Sequence, residues 1–257
     1  MHRFLLIGII LSLITPASVE PLGAQTVDSL AFKDLRFRMV GPFRGGRSSA
    51  VTGFPGDADR WLMGTTGGGV WETTDNGASW QNISDAFFGG SIGAVKVAES
   101  DPNVIYVGQG SADIRGNTST GRGMWKSMDA GRTWTFIGLP EAGQIGRIEV
   151  HPDDHNLVYV AALGHPFGKN PERGIFRSKD GGETWQHLLA LNDSTGASDL
   201  SMDMVNPRIL YAGMWRAERK PWTLISGAQE GGVYKSTDGG DTWAKLGGGL
   251  PEGIVGK

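Results

Sequence analysis

Thr73-Thr74-Asp75-Asn76-Gly77-Ala78-Ser79-Trp80 is the first of four copies of one short motif. The others read Ser127-Met128-Asp129-Ala130-Gly131-Arg132-Thr133-Trp134, Ser178-Lys179-Asp180-Gly181-Gly182-Glu183-Thr184-Trp185 and Ser236-Thr237-Asp238-Gly239-Gly240-Asp241-Thr242-Trp243. Their aspartates lie 54, 51 and 58 residues apart. A fixed period of about 50 residues marks a repeat architecture in which no unit is stable alone.

The surroundings of each copy repeat as well. Upstream runs a short apolar strand, at residues 61–65 (WLMGT), 104–108 (VIYVG), 157–161 (LVYVA) and 209–213 (ILYAG), each after a polar turn. Another strand precedes the later turns, at residues 92–98, 145–150 and 200–205. A third, such as GMWK at 123–126, leads into the motif, and the motif Trp opens a fourth. Four short antiparallel strands per repeat make a propeller blade. The fold class expected is therefore all-β, a β-propeller with four blades at about residues 41–84, 91–139, 145–190 and 198–248. Residues 253–257 resemble the start of a further inner strand, so the chain reads as the N-terminal part of a larger propeller. Residues 35–40 (LRFRMV) are a candidate closing strand.

In this phase the motif is the hairpin between the third and fourth strands. Its Asp accepts backbone N–H bonds, the following Gly supplies positive φ, and the Ser or Thr hydroxyls add local bonds. Trp80, Trp134, Trp185 and Trp243 then pack on neighbouring sheets. Repetition argues for a structural role of Asp75, Asp129, Asp180 and Asp238, because an active site rarely needs four copies of one group. The opposite end of each blade carries the longer, irregular loops at residues 109–122, 164–173 and 214–231, with links at 84–91, 139–144 and 191–198. A binding or catalytic site belongs on that face.

Composition narrows the field. A net charge of −3 gives no electrostatic reason to expect nucleic acid or an anionic membrane. The absence of cysteine removes disulfides and thiolate metal sites, leaving packing to supply stability. Residues 1–24 have the pattern of a signal peptide: His2 and Arg3, an apolar run at 4–14, and small residues at Ala17 and Ala24. Cleavage after Ala24 would leave an extension at 25–34 and the propeller from residue 35, secreted or periplasmic and without a membrane span. No cofactor is implied, since Gly45-Gly46 and Gly67-Gly68-Gly69 precede no helix that could cradle a phosphate.

The Ser/Thr-x-Asp-x-Gly-x-Thr/Ser-Trp pattern resembles the Asp box, or BNR repeat, of sialidases, xyloglucanase-type glycoside hydrolases and the sortilin ectodomain. Together with Arg38-Met39-Val40-Gly41-Pro42-Phe43-Arg44-Gly45-Gly46-Arg47, Gly67 to Asp75, Ile145-Gly146-Arg147-Ile148 and Trp222-Thr223-Leu224-Ile225, the chain is similar to secreted bacterial sortilin N-terminal-domain or BNR-repeat glycosyl-hydrolase-like proteins. The resemblance implies a propeller that binds a glycan or polypeptide, or hydrolyses a polysaccharide. In xyloglucanase-type enzymes an acidic base precedes the first Asp box, and Thr66 stands at the matching position here. A hydroxyl cannot serve as that base. Sialidases use an arginine cluster, for which Arg44, Arg47, Arg122 and Arg147 are available without a recognisable surrounding signature.

Trp215-Arg216-Ala217-Glu218-Arg219-Lys220-Pro221-Trp222 is the most suggestive loop. Its two Trp residues either stack a sugar or grip an acidic peptide, or they pack beneath the loop. His151-Pro152-Asp153-Asp154-His155 has metal-like spacing but occupies the polar turn of the repeat, so no metal is expected, and His165 lies in a variable loop. The reading is a secreted propeller that recognises an extracellular glycan or polypeptide through Arg44, Arg47, Arg147, Trp215, Arg216 and Trp222. The alternative is a glycoside hydrolase using carboxylates such as Asp85, Asp199, Glu218 or Glu230, with catalytic residues partly elsewhere.

Overall fold

The computed structural model describes residues 46–250 and 253–254. The signal segment, the candidate closing strand at 35–40 and Arg44 lie outside the described residues. Each Asp turn is built the same way. The first hydroxyl of the motif donates to the Asp Oδ1, at 2.7 Å from Thr73 and 2.8 Å from Ser127. The seventh residue donates its N–H to the same oxygen and its hydroxyl to Oδ2, at 2.8 and 2.6 Å for Thr133. The fifth-position glycine N–H returns to the first hydroxyl, at 2.8 Å from Gly131. The fourth and fifth residues both sit at positive φ, as Asn76 (55°) and Gly77 (92°), Ala130 (59°) and Gly131 (89°), and as glycine pairs in the last two copies.

These turns close four antiparallel groups of strands, one sheet per Asp turn, the first two of which pair into one continuous eight-stranded sheet through Thr66–Ser91 and Gly67–Gly90. The first holds β1 (Ser48–Phe54), β2 (Asp57–Gly67), β3 (Val70–Thr73) and β4 (Gln81–Asn82). The second holds β5 (Gly90–Val97), β6 (Ile105–Gln109), β7 (Met124–Ser127) and β8 (Thr135–Phe136). The third holds β9 (Ile145–His151), β10 (Asp154–Ala162), β11 (Gly174–Ser178) and β12 (Gln186–Leu189). The fourth runs from β13 (Thr195–Met202) through β14 (Leu210–Lys220) to β16 (Gly232–Ser236) and β17 (Ala244–Lys245), with β15 (Thr223–Ser226) pairing the far end of β14. The inner strands pack side by side in the order β1, β5, β9, β13. This is an all-β propeller arrangement, and among the described residues there is no helix. Gly253 and Ile254 carry no strand.

Two stretches differ from expectation. The inner strand of the fourth sheet begins at Thr195 and ends at Met202, earlier than the 200–205 read from apolar residues. Asp203 ends it, accepting the N–H groups of Val205 and Asn206 and closing a turn. The expected irregular loop over 214–231 is largely a regular hairpin, with Lys220 paired to Thr223 across Pro221-Trp222. Trp215 and Ala217 are buried and alternate with more accessible Arg216 and Glu218, the period of a strand.

Every inner strand carries one extra, unpaired residue against its partner: Ser49, Gly93, Gly146 and Ser198. Such bulges re-aim the strand. They also bring neighbouring inner strands together. The Ser49 hydroxyl donates to the Ile92 carbonyl. A Cβ on Gly93 would stand 1.9 Å from the Ile145 carbonyl oxygen, and one on Gly146 2.3 Å from that of Ser198. Glycine is needed at both positions because another backbone occupies the space.

Hydrophobic clusters fill the gaps between successive sheets. Leu62 and Val70 meet Ile92, Val107 and Trp134; Tyr106 and Met124 meet Ile145, Ile148 and Val160; Tyr159 and Ile175 meet Leu200 and Leu210. Polar latches cross the same gaps. Trp134 Nε1 donates to the Ile83 carbonyl at 3.0 Å and Trp185 Nε1 to that of Ile137 at 2.7 Å. The Tyr106 hydroxyl reaches the His155 carbonyl at 2.8 Å, and the Tyr159 hydroxyl that of Gly239 at 2.8 Å. Trp243 instead bonds within its own turn, to Gly240.

Candidate functional site

Three places on the loop face and inner strands gather chemistry. The first is a cavity of about 340 Å³ along β1, β5 and β9, lined by residues that include Ser48, Ser49, Thr52, Gly93, Lys96, Gly146 and Arg147. Period-two alternation on β9 puts Arg147 and Glu149 on one side of the strand. Glu149 is buried and accepts from Arg147 Nε at 3.0 Å on one oxygen and from Lys96 Nζ at 3.2 Å on the other. Arg147 keeps 55% of its side chain exposed.

The second is a small polar pocket of about 40 Å³, lined by Arg47, Thr66, Ser91, Ser111, Asp113, Arg115, Asn117, Thr118 and Ser119. Fully buried Gln144 clips the loop that forms its wall. Its side-chain carbonyl accepts from the Ser111 N–H, and its amide donates to the Ser119 carbonyl at 3.1 Å. The Arg115 N–H donates to the Thr118 hydroxyl at 2.7 Å. Arg47 and Ser48 are chain neighbours that line one cavity each, so the two spaces adjoin.

The third is the β14–β15 hairpin. Trp215 is buried against Leu163, Ala217 and Ala112 and donates from Nε1 to the Ser226 hydroxyl at 3.0 Å. Trp222, at the turn, is 79% exposed. Glu218 lies 2.5 Å from Lys220 Nζ and 3.9 Å from an Arg216 nitrogen. Lys220, burial working against it, and then Arg216 together leave the Glu218 carboxyl below its ordinary range. Fully buried Arg173 organises the neighbouring loop, donating to the carbonyls of Leu163, His165 and Gly168. Burial lowers its pKa to about 10.

The residues singled out from sequence are therefore dispersed. Arg47 lines the polar pocket, Arg147 the inner-strand cavity, Arg216 and Trp222 belong to the hairpin, and Trp215 is core. Arg122 is exposed and lines neither cavity, so Arg47, Arg122 and Arg147 form no single cluster. Among the described residues, Asp85, Asp199, Glu218 and Glu230 line neither cavity either; Asp85 borders a groove with Arg60 and Phe87. The Glu230 carboxyl is held low by its own N–H and then by Asn192 and Thr195. His151 accepts the Asp153 N–H within the polar turn. Sequence reasoning missed Gln144, Glu149, Lys96 and Arg173. Gln144 and Arg173 lie in a link and a loop, and Lys96 and Glu149 on two different strands; none carries a sequence mark, because the partners that define each are brought to it only by the fold.

Comparison with known proteins agrees with this architecture. Residues 68–198 match the Sortilin-Vps10 family, described as sortilin, neurotensin receptor 3. A xyloglucanase from Paenibacillus sp is 25% identical over 203 residues, 70% of this chain and 18% of its own length. The vacuolar protein sorting/targeting protein 10 of Pyricularia oryzae is 33% identical over 130 residues, 47% of this chain and 8% of its own length. Among solved structures, an ancestral GH74 enzyme superposes with a TM-score of 0.60 at 23% identity, over 82% of this chain and 25% of that one. The chain thus spans a quarter or less of the length of these relatives. With the match running over about half of the chain and across three of the four Asp turns, the chain belongs to the Sortilin-Vps10 family.

Proposed function

We propose that this chain is the ligand-binding propeller portion of an exported protein, its residues 1–24 removed as a signal peptide, and that it recognises an extracellular glycan. The observation that carries this reading is the pair of adjoining spaces lined by Arg47, Arg147 and a row of hydroxyls at Ser48, Thr66, Ser91 and Ser111. Sugar hydroxyls both donate and accept, and such a lining offers both. Exposed Trp222 adds a face on which a ring can stack, with Arg216 and Lys220 on the same hairpin. We assign the four Asp turns to the Asp-box class, as braces of the scaffold. The similarity to xyloglucanases over 70% of the chain supports a glycan over other ligands.

Hydrolysis by the carboxylates described here is the weaker reading. A glycosidase acid must hold its proton near neutral pH. Glu218 and Glu230 are both shifted the other way, and Thr66 stands where xyloglucanase-type enzymes place a base. A polypeptide ligand is a second reading, favoured by the 33% identity to a vacuolar sorting protein. The test is a glycan array and a reducing-sugar assay on the secreted protein, beside Arg47→Ala and Trp222→Ala variants. Binding without sugar release, weakened in a variant that melts like the parent, is expected. Sugar release, or binding confined to peptides, would overturn the reading.

A further inference from the structure

The inner-strand cavity has a charge arrangement that a neutral ligand does not use. Two cations, Lys96 and Arg147, line it, and one buried carboxylate, Glu149, stands behind them. Glu149 shares one oxygen with each, so the trio carries a single positive charge in excess. Arg147 bonds Glu149 through Nε alone, and among the described residues its two terminal nitrogens have no partner. Arg147 is thus anchored at its elbow while the outer fork is free.

Bulge residues Gly93 and Gly146 form part of the wall, each packed directly against the backbone of the next inner strand. Ser48 and Thr52 supply hydroxyls on the β1 side. A volume of about 340 Å³ is at the small end of ligand pockets, which run to about 1,000 Å³.

A planar guanidinium fork matches the two oxygens of a carboxylate, and an ammonium adds a point charge. Because Glu149 already fixes both cations, binding costs less side-chain ordering. We propose that this cavity is a carboxylate-binding subsite that takes a uronic acid unit of an acidic glycan, with Arg147 holding the carboxylate, Lys96 beside it, and Glu149 positioning both. The hydroxyl-lined wall and the adjoining polar pocket favour a sugar acid over a peptide carboxylate. The assignment rests on the glycan reading above and adds the class of sugar.

The experiment is calorimetric titration of the full chain with a galacturonate oligomer, its methyl ester and a neutral β-glucan oligomer, repeated with Arg147→Met and Lys96→Met. Arg147→Met retains the apolar stem of an exposed side chain, and thermal melting checks each variant. The free acid should bind at least about tenfold more tightly than its ester at low salt, about 1.4 kcal/mol. That preference should vanish in Arg147→Met, shrink in Lys96→Met and weaken with added salt. Equal affinity for acid and ester, or a preference retained without Arg147, overturns the subsite. Neutral oligomers binding alone would leave the glycan reading standing and this one refuted, whereas silence with every glycan refutes both. A peptide acid preferred over its amide through Arg147, with no uronate binding, overturns the choice of a sugar acid.

Discussion

Ala130 holds the left-handed conformation (φ 59°) at the position where the third and fourth Asp turns have Gly181 and Gly239. A side chain there costs roughly 1–2 kcal/mol, part of which glycine gives back through its freer unfolded chain. Ala130→Gly should therefore stabilise the protein by about 0.5–1 kcal/mol, raising the melting temperature by about 1–4 °C; calorimetry showing a lower melting temperature would refute the strain. The neighbouring aspartates set an acid limit. Asp129 is held down to about 2 by the Thr133 hydroxyl and N–H, with a further bond from Ser127, and Asp75 to about 2 by Ser79 and then Thr73. Asp180 and Asp238 are lowered by the same bonds from Thr184 and Thr242. Folded carboxyls with depressed values bind fewer protons than unfolded ones, whose ordinary value is about 3.9. Their contribution is present above that value and is lost as pH falls towards about 2. Urea midpoints taken from neutral pH downwards should hold until about pH 4–5 and then drop, with a shallower drop in Asp129→Asn and Asp75→Asn. A midpoint indifferent to acid, or an unchanged slope in both variants, would contradict this.

The Asp turn acts beyond itself through its tryptophan, and the four copies are unequal in a way that can be measured. Trp134 and Trp185 each donate across a sheet boundary, whereas Trp243 bonds inside its own turn. Trp134→Phe and Trp185→Phe should each cost about 1–2 kcal/mol, a lost hydrogen bond that leaves a carbonyl unpaired. Trp243→Phe removes an equivalent local bond without loosening two sheets. Its amide hydrogen exchange should change only near the turn, while Trp134→Phe should also raise exchange in β4, the strand on the other side of the boundary. Strand phase was legible in the sequence because apolar runs, polar turns and the Asp motif recur together. The bulges were not, since Ser49, Gly93, Gly146 and Ser198 become extra residues only against their partner strands. The same limit hid the Lys96–Glu149 pair. In AVKVA and RIEV each charge looks like ordinary strand alternation, and only the packing of β5 beside β9 brings them together. Trp215 and Trp222 look alike in sequence and separate by burial alone.

Across the molecule, stability depends on how strongly one sheet feels the next. In a repeat architecture each unit contacts its neighbours alone, so unfolding can split into steps when the boundaries are weak. The boundary between the second and third sheets is not weak. Ile145 is fully buried among Tyr106 and Met124 of one sheet and Ile148 and Val160 of the other. Its branched side chain lies over Gly108, where even a Cβ would come within 2.3 Å of it. The Tyr106 latch to His155 crosses the same gap. Ile145→Ala should then cost about 3 kcal/mol, the transfer and cavity terms of a buried branched aliphatic. Because the cluster belongs to both sheets, the loss should reach amides of β6 and β10 together, and circular dichroism and tryptophan fluorescence should keep one shared urea midpoint. If only β9 to β12 lost protection, or the two probes separated in the mutant but not the parent, the sheets would be independent units, and the inner strands could not hold Lys96 and Glu149 in a fixed relation across their boundary.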